Sequence, residues 1–304
     1  MININQNTKM IKNQNRLGGI CMVLSVLFFS LMDVLIKMTH EYDVGQVMFS
    51  RAIFGLIPIF FLIPKKKIKV FYKTKYAELH FYRSFVGAIA MLAIFIGIRK
   101  LELAEVTSIA FSGPIWVVIF SILFLGEKIG VKRWTAVGLG FIGVIIISKP
   151  GFENLNLYYI YPVIFTLGFA GISIFIRKLT LVGEPVYLIA FYFSICSAIF
   201  GLFTLPFGGW LIPTNYDLVL LILIGVLGSI ANLLLTKAYQ LAEVSLTTPL
   251  KYLSLVFAII FGFYLFDEVP SIYTLSGASL IIISSAIIFI REHQLKKPIT
   301  LPRQ

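Results

Sequence analysis

The sequence predicts an all-α membrane protein, with ten transmembrane helices arranged as two inverted five-helix repeats. Three observations predict it. The first is composition: of 304 residues, 59% are hydrophobic and only 13% charged, with mean hydropathy +0.93. A water-soluble domain carries about 25% charged residues, so this chain is made for lipid. The second is ten apolar runs, each long enough to approach the roughly 20 residues that cross a bilayer as a helix. The third is a stretch that occurs twice. Leu103 to Glu127 reads LAEVTSIAFSGPIWVVIFSILFLGE, and Leu241 to Glu268 reads LAEVSLTTPLKYLSLVFAIIFGFYLFDE. Transmembrane barrels are excluded, because their strands alternate apolar and polar residues, whereas these runs are apolar on every face.

The runs fall at 17 to 38, 44 to 63, 79 to 98, 104 to 125, 131 to 148, 157 to 176, 185 to 205, 217 to 236, 244 to 266 and 271 to 290. The first follows a basic tail, Lys9, Lys12 and Arg16, with no small-residue cleavage site after it, so it reads as a retained span. Pro64 and a lysine cluster end the second, and Arg99-Lys100 ends the third. The fourth is the first copy of the repeat, closed by Gly126-Glu127. Lys149-Pro150-Gly151 ends the fifth and marks the joint between halves, since proline and glycine both interrupt helices. Arg177-Lys178 ends the sixth, Gly183-Glu184-Pro185 opens the seventh, and the segment Pro206 to Pro213 closes it. The eighth ends at Lys237; the ninth is the second repeat copy, closed by Asp267-Glu268. The expected organisation is an N-terminal tail 1–16, a first repeat 17–148, a linker 149–156, a second repeat 157–290 and a C-terminal tail 291–304.

Orientation follows from the cations, because lysine and arginine in short loops favour the cytoplasmic side. With both ends inside, nineteen fall in cytoplasmic segments and three outside: Arg99, Lys100 and Lys149. Five spans per half is an odd number, so the second half enters the membrane inverted. The net charge of +12 is therefore a matter of topology and gives no sign of a nucleic-acid partner. Cys21 and Cys196 lie inside apolar runs, where two isolated thiols make neither a disulfide framework nor a metal site.

Charge at membrane depth carries the chemistry. A charged side chain at a helix centre costs about 2.5–3.5 kcal/mol on insertion scales. Asp33, Lys37, Arg51, Arg83 and Lys251 each need a partner, a wet cavity or a route to the interface. Asp33 and Lys37 share a helix face four residues apart. Lys37 is near enough to the outer end to snorkel, as Arg83 is to the inner one; Asp33 is too short for that. Arg51 could pair with Asp33 across the hairpin as a structural ion pair, or both could face a ligand. Thr247-Thr248-Pro249 makes the approach to Lys251 and Tyr252 polar and locally broken, as in the discontinuous helices that line binding sites. Asn232 and Trp116 are secondary candidates: an asparagine can simply link helices, and a tryptophan can simply pack. One carboxylate against several cations suits a ligand that is anionic or zwitterionic, and the aromatic residues, 15% of the chain, could add stacking surface.

His40, His80 and His293 lie near loops, far apart in sequence, and are expected to be solvated. Neither HExxH, a P-loop, paired cysteines nor a nucleophile motif is present, so neither an enzyme nor a bound cofactor or metal is expected.

The paired LAEV starts, the acidic ends at Gly126-Glu127 and Asp267-Glu268, and the two fivefold halves resemble the EamA branch of the drug/metabolite transporter superfamily, from about Leu17 to Ile290. Asp267 stands where that family usually has glycine. Within the superfamily the chain is most similar to the S-adenosylmethionine uptake transporters of intracellular bacteria, at Asp33 and Lys37 in MDVLIK, Arg51 in FSRAIFG, Arg83 in YRS and Lys251-Tyr252 in TTPLKYL. An arginine is more usual at Lys251. The resemblance implies a secondary transporter of a small charged metabolite in the cytoplasmic membrane. Export of amino acids or drugs, or a non-transporting scaffold or sensor, remain as alternatives.

Overall fold

The computed structural model describes residues 2–64, 72–100, 109–110, 113–126, 130–148, 157–207, 209–266, and, beyond these, 272, 276–277, 279–280 and 283. The first LAEV tetrapeptide, Glu127, the linker 149–156, Asp267-Glu268, the C-terminal tail and most of the tenth run lie outside them. Every described element is helical, as lipid demands of a backbone that must satisfy its own hydrogen bonds.

Helix α1 spans Ile2–Met38, so helical structure starts well ahead of the expected first span. The second run is two helices, α2 Val44–Phe54 and α3 Leu56–Leu62, interrupted at Gly55. Pro58 accounts for the interruption: it has no N–H for the carbonyl of Phe54 and its ring crowds that carbonyl. Then come α4 Ala77–Lys100, α5 Gly113–Leu125, α6 Val131–Ser148, α7 Ile160–Leu181, α8 Val186–Leu202 and α9 Asn215–Leu241. Helix α9 ends in the second LAEV: Ala242 turns extended, and a one-turn helix begins at Val244. A 3₁₀ segment, Thr248–Tyr252 with Pro249 in its first turn, leads into α10, Leu253–Phe266. The expected break ahead of Lys251 is therefore present. Six described segments are long and apolar enough to cross a membrane: 13–38, 44–62, 77–97, 160–181, 186–207 and 215–241.

The main helix pairs join the two halves of the chain. Helix α1 lies along α9, α4 along α7, and α2 along both α8 and α9; α5 packs on α7, and α1 also meets α10. A small residue allows α2 and α8 to cross closely. A Cβ on Gly201 of α8 would meet the Gly45 carbonyl at 2.8 Å and Phe49 Cβ at 2.9 Å.

Two buried apolar clusters lie at different depths. One gathers Met22, Val26, Ile174, Leu179, Ile189 and Tyr239, and the other Met32, Met48, Met91, Phe193, Leu221 and Ile224. Polar staples tie segments together at each end of the bundle. At the α1–α2 end, the Tyr42 hydroxyl donates to Asp217 Oδ2 at 2.8 Å, and Gln46 exchanges hydrogen bonds with the Leu211 backbone at 2.6 and 2.9 Å. The Asp217 bond, with burial behind it, pushes the Tyr42 phenol above its ordinary value. At the α3–α4 end, Thr74 Oγ1 donates to Glu184 Oε1 at 2.7 Å, and His80 Nε2 lies 3.2 Å from Glu184 Oε2. Tyr192 covers the imidazole at 4.6 Å between ring centroids and donates its hydroxyl to the Tyr72 carbonyl at 2.6 Å. His80 is fully buried, which corrects the expectation of a solvated loop histidine. It stands on α4, and its partner comes from a loop 104 residues away. Arg177, counted above as a loop cation, is likewise buried and donates to the carbonyls of Tyr239 and Gln240 at 2.6 and 3.3 Å. His40 is exposed, and His293 lies outside the described residues.

Candidate functional site

A cavity of about 450 Å³ runs through the bundle, and it collects the intramembrane charges. Asp33, Lys37, Arg51, Arg83, Asn232 and Lys251 all line it. They arrive on α1, α2, α4, α9 and the 3₁₀ segment before α10. Trp116 and Tyr252 are not among the lining residues: Trp116 is exposed on α5, and Tyr252 is wholly buried at the end of the 3₁₀ segment.

The charges are graded in depth. Lys37, in the last turn of α1, and Phe266, at the end of α10, stand at the α1–α2 end of the cavity, with the Lys37 ammonium 4.2 Å from the Phe266 ring centroid. Asp33 lies one turn further in and is exposed. Among the described residues it makes no ion pair within 4 Å, although Arg51 acts on it through space. A direct Asp33–Arg51 salt bridge is thus not what holds either group. Arg51, 8% exposed, donates instead to two thioethers: Nε to Met32 Sδ at 3.2 Å and Nη1 to Met91 Sδ at 2.8 Å.

Arg83 sits deepest, at 1% exposure, so it does not snorkel to the interface. Its Nη2 donates to Asn232 Oδ1 at 3.1 Å, while Nε and Nη1 have no partner among the described residues. Asn232 is fixed in turn by Thr236, whose hydroxyl donates to the Asn232 carbonyl at 2.8 Å. The Phe193 ring is close to both guanidinium groups, with its centroid 4.1 Å from Arg83 Cζ and 5.7 Å from Arg51 Cζ. Lys251 places its ammonium 3.4 Å from the Phe169 centroid.

Chemically this is an aromatic chamber in which, among the described residues, four cations face one carboxylate, with two guanidinium donors left over for an acceptor. A buried donor without a partner costs roughly 1–3 kcal/mol, a cost that a bound carboxylate or phosphate would remove. Phe193, Phe169, Met32 and Met91 escaped the sequence reading. The chain has 28 phenylalanines and seven methionines, and nothing in the string marks those that face a cation.

Comparison with known proteins matches the chain to the EamA-like transporter family over residues 16–149 and again over 156–290. An S-adenosylmethionine uptake transporter of Rickettsia bellii is 30% identical over 276 residues, covering 89% of this chain and 92% of that one. A pseudopaline exporter of Pseudomonas aeruginosa is 26% identical, covering 88% and 94%. A solved crystal structure with 15% sequence identity superposes with a TM-score of 0.73 over 94% of this chain and 99% of the other, which shows a shared fold. Neither the family nor these relatives are enzymes. The charged aromatic cavity between membrane-length helices is that of a small-molecule carrier, and the chain belongs to the EamA-like transporter family.

Proposed function

We propose that the protein is a secondary transporter of the bacterial cytoplasmic membrane that moves a small charged metabolite by alternating access, with S-adenosylmethionine as cargo. The observation that carries this is Arg83, buried at the cavity floor with two unpartnered donors, below an exposed Asp33. The cargo has a carboxylate for the guanidinium groups and Lys251, and an amine and a sulfonium for Asp33 and the ring faces. The name of the Rickettsia relative supports that cargo.

Ten spans in two inverted repeats, 17–148 and 157–290 about the linker 149–156, form part of the proposal. The double family match supports it, and so does packing. Exchanging the sixth span for the first, the seventh for the second and the eighth for the third turns the α1–α9 contact into α7–α4. It maps α2–α8 onto itself and turns α5–α7 into α10–α1. All these contacts are present. With both tails in the cytoplasm, the cavity opens outward past Lys37, and the Thr74–Glu184–His80 staple closes the inner face.

The test is uptake of radiolabelled S-adenosylmethionine by intact bacteria expressing the chain, with and without excess S-adenosylhomocysteine, beside Asp33→Asn. Saturable uptake that is competed and is lost in the variant establishes cargo and site. Uptake no greater than in control cells, with the protein in the membrane, overturns the cargo. Export is the second reading, favoured by the similarity to a pseudopaline exporter; efflux of amino acids from preloaded cells distinguishes it.

A further inference from the structure

We propose that Met32, Met91 and Gly228 form a seat that positions Arg51 without neutralising it, keeping its charge for the carboxylate of the cargo. This rests on the role given to Arg51 in the preceding section.

Three observations converge. Among the described residues, the side-chain hydrogen bonds of Arg51 go to thioether sulfur, from Nε to Met32 on α1 and from Nη1 to Met91 on α4. Sulfur of this kind is a weak acceptor that carries no formal charge. A carboxylate there would form a strong charge-assisted pair and compete with any ligand. The third wall is α9: a Cβ on Gly228 would come within 2.7 Å of Met32 Sδ and 2.8 Å of Arg51 Nε. The glycine leaves the space in which the guanidinium and the thioether meet. Phe193, on α8, adds a ring whose centroid is 5.7 Å from Arg51 Cζ.

The seat therefore draws on four helices around the arginine of α2. It fixes the direction of the guanidinium by contact while leaving its charge without a direct ion pair among the described residues. Methionine suits this role because its unbranched thioether adapts as the arginine shifts. Met32 and Asp33 are sequence neighbours that both line the cavity, so α1 supplies the seat of Arg51 and the carboxylate from consecutive positions. Arg51 and Asp33 can then hold opposite charges of one ligand rather than each other.

Two measurements on the full-length protein test the seat. The first needs no ligand: melting temperatures of the purified protein, Met91→Leu, Arg51→Leu and the double variant in detergent. Leucine keeps the volume and removes the acceptor, so Met91→Leu should lower the melting temperature with Arg51 present and have little effect without it. Equal shifts in both backgrounds overturn the seat. The second is kinetic and uses Met91→Gln, whose amide oxygen is a stronger acceptor than sulfur. Its KM for S-adenosylmethionine should rise about tenfold with Vmax held within about twofold, a change of roughly one hydrogen bond to a charged group. Inhibition by decarboxylated S-adenosylmethionine, which has no carboxylate, should be unchanged. A rise for both compounds alike, or a fall in Vmax alone, assigns Met91 to packing and overturns the proposal. Wild-type cells that take up no S-adenosylmethionine refute the cargo, and the melting cycle then judges the seat by itself.

Discussion

Arg83 and Asn232, 149 residues apart in the chain, meet at 3.1 Å under the floor of the cavity, where the asparagine oxygen takes one of three guanidinium nitrogens and leaves two for a ligand. Changing Asn232 to aspartate converts that neutral acceptor into a counter-ion. Asn232→Asp should fold at least as well as the wild type yet raise the Michaelis constant for an anionic cargo about tenfold or more, because the ligand must compete with an internal carboxylate. Uptake kinetics at matched membrane expression check this.

Lys251 stands over Phe169 with its ammonium 3.4 Å from the ring centroid. Arginine keeps both the charge and the stacking face, and methionine keeps only the apolar stem. Lys251→Arg should retain transport, and Lys251→Met should lower the ratio of kcat to KM roughly tenfold, the worth of one charge-assisted contact. Equal loss in both would show that the site needs the lysine shape rather than its charge.

The His80–Glu184–Thr74 staple, with His80 and Glu184 buried and Thr74 half-buried, joins two loops at the α3–α4 end. Glu184→Ala leaves the imidazole and the threonine hydroxyl without their acceptor and should destabilise the protein by about 1–3 kcal/mol. Thermal unfolding in detergent reads this directly, and Glu184→Gln, which keeps an acceptor, should recover part of the loss.

At Gly201 the clash is with backbone, which cannot swing aside. Gly201→Ala should push α8 from α2 and cost roughly 1–3 kcal/mol, visible as a lower melting temperature. An unchanged melting temperature would mean that the two helices adjust freely at this crossing.

Orientation is open to a direct check. In a background with Cys21 and Cys196 replaced, a cysteine at His40 should react with a membrane-impermeant maleimide in intact cells, and one at Lys178 only after lysis. The reverse pattern would invert the topology.

Six of the eight candidate site residues face one cavity, and the reason they could be read from the string is energetic. A charge in lipid has few tolerable surroundings, so Asp33, Arg51, Arg83 and Lys251 announced themselves. The companions of those charges carried no such mark. Phe193 matters because its ring is close to two guanidinium groups brought together from α2 and α4, and that proximity is tertiary. Tyr252 shows the converse, since a residue next to Lys251 in sequence points elsewhere on a 3₁₀ turn. His80 was misread because hydropathy placed it at the start of a span, beside water, while its acceptor comes from a loop 104 residues away. The break at Gly55 was readable from Pro58 but hidden inside an unbroken apolar run.

The pairing of α1 with α9 also sets a timetable for synthesis. Ser25 donates its hydroxyl to the Ala231 carbonyl at 2.7 Å across 206 residues of chain. A ribosome adding about 5–20 residues per second needs on the order of 10–40 s to make that intervening segment. For that interval α1 sits in the bilayer with Asp33 and Lys37 and without its principal neighbour. Neither half made alone can supply the missing surface, so complementation by two separately encoded halves requires them to be produced together in one membrane.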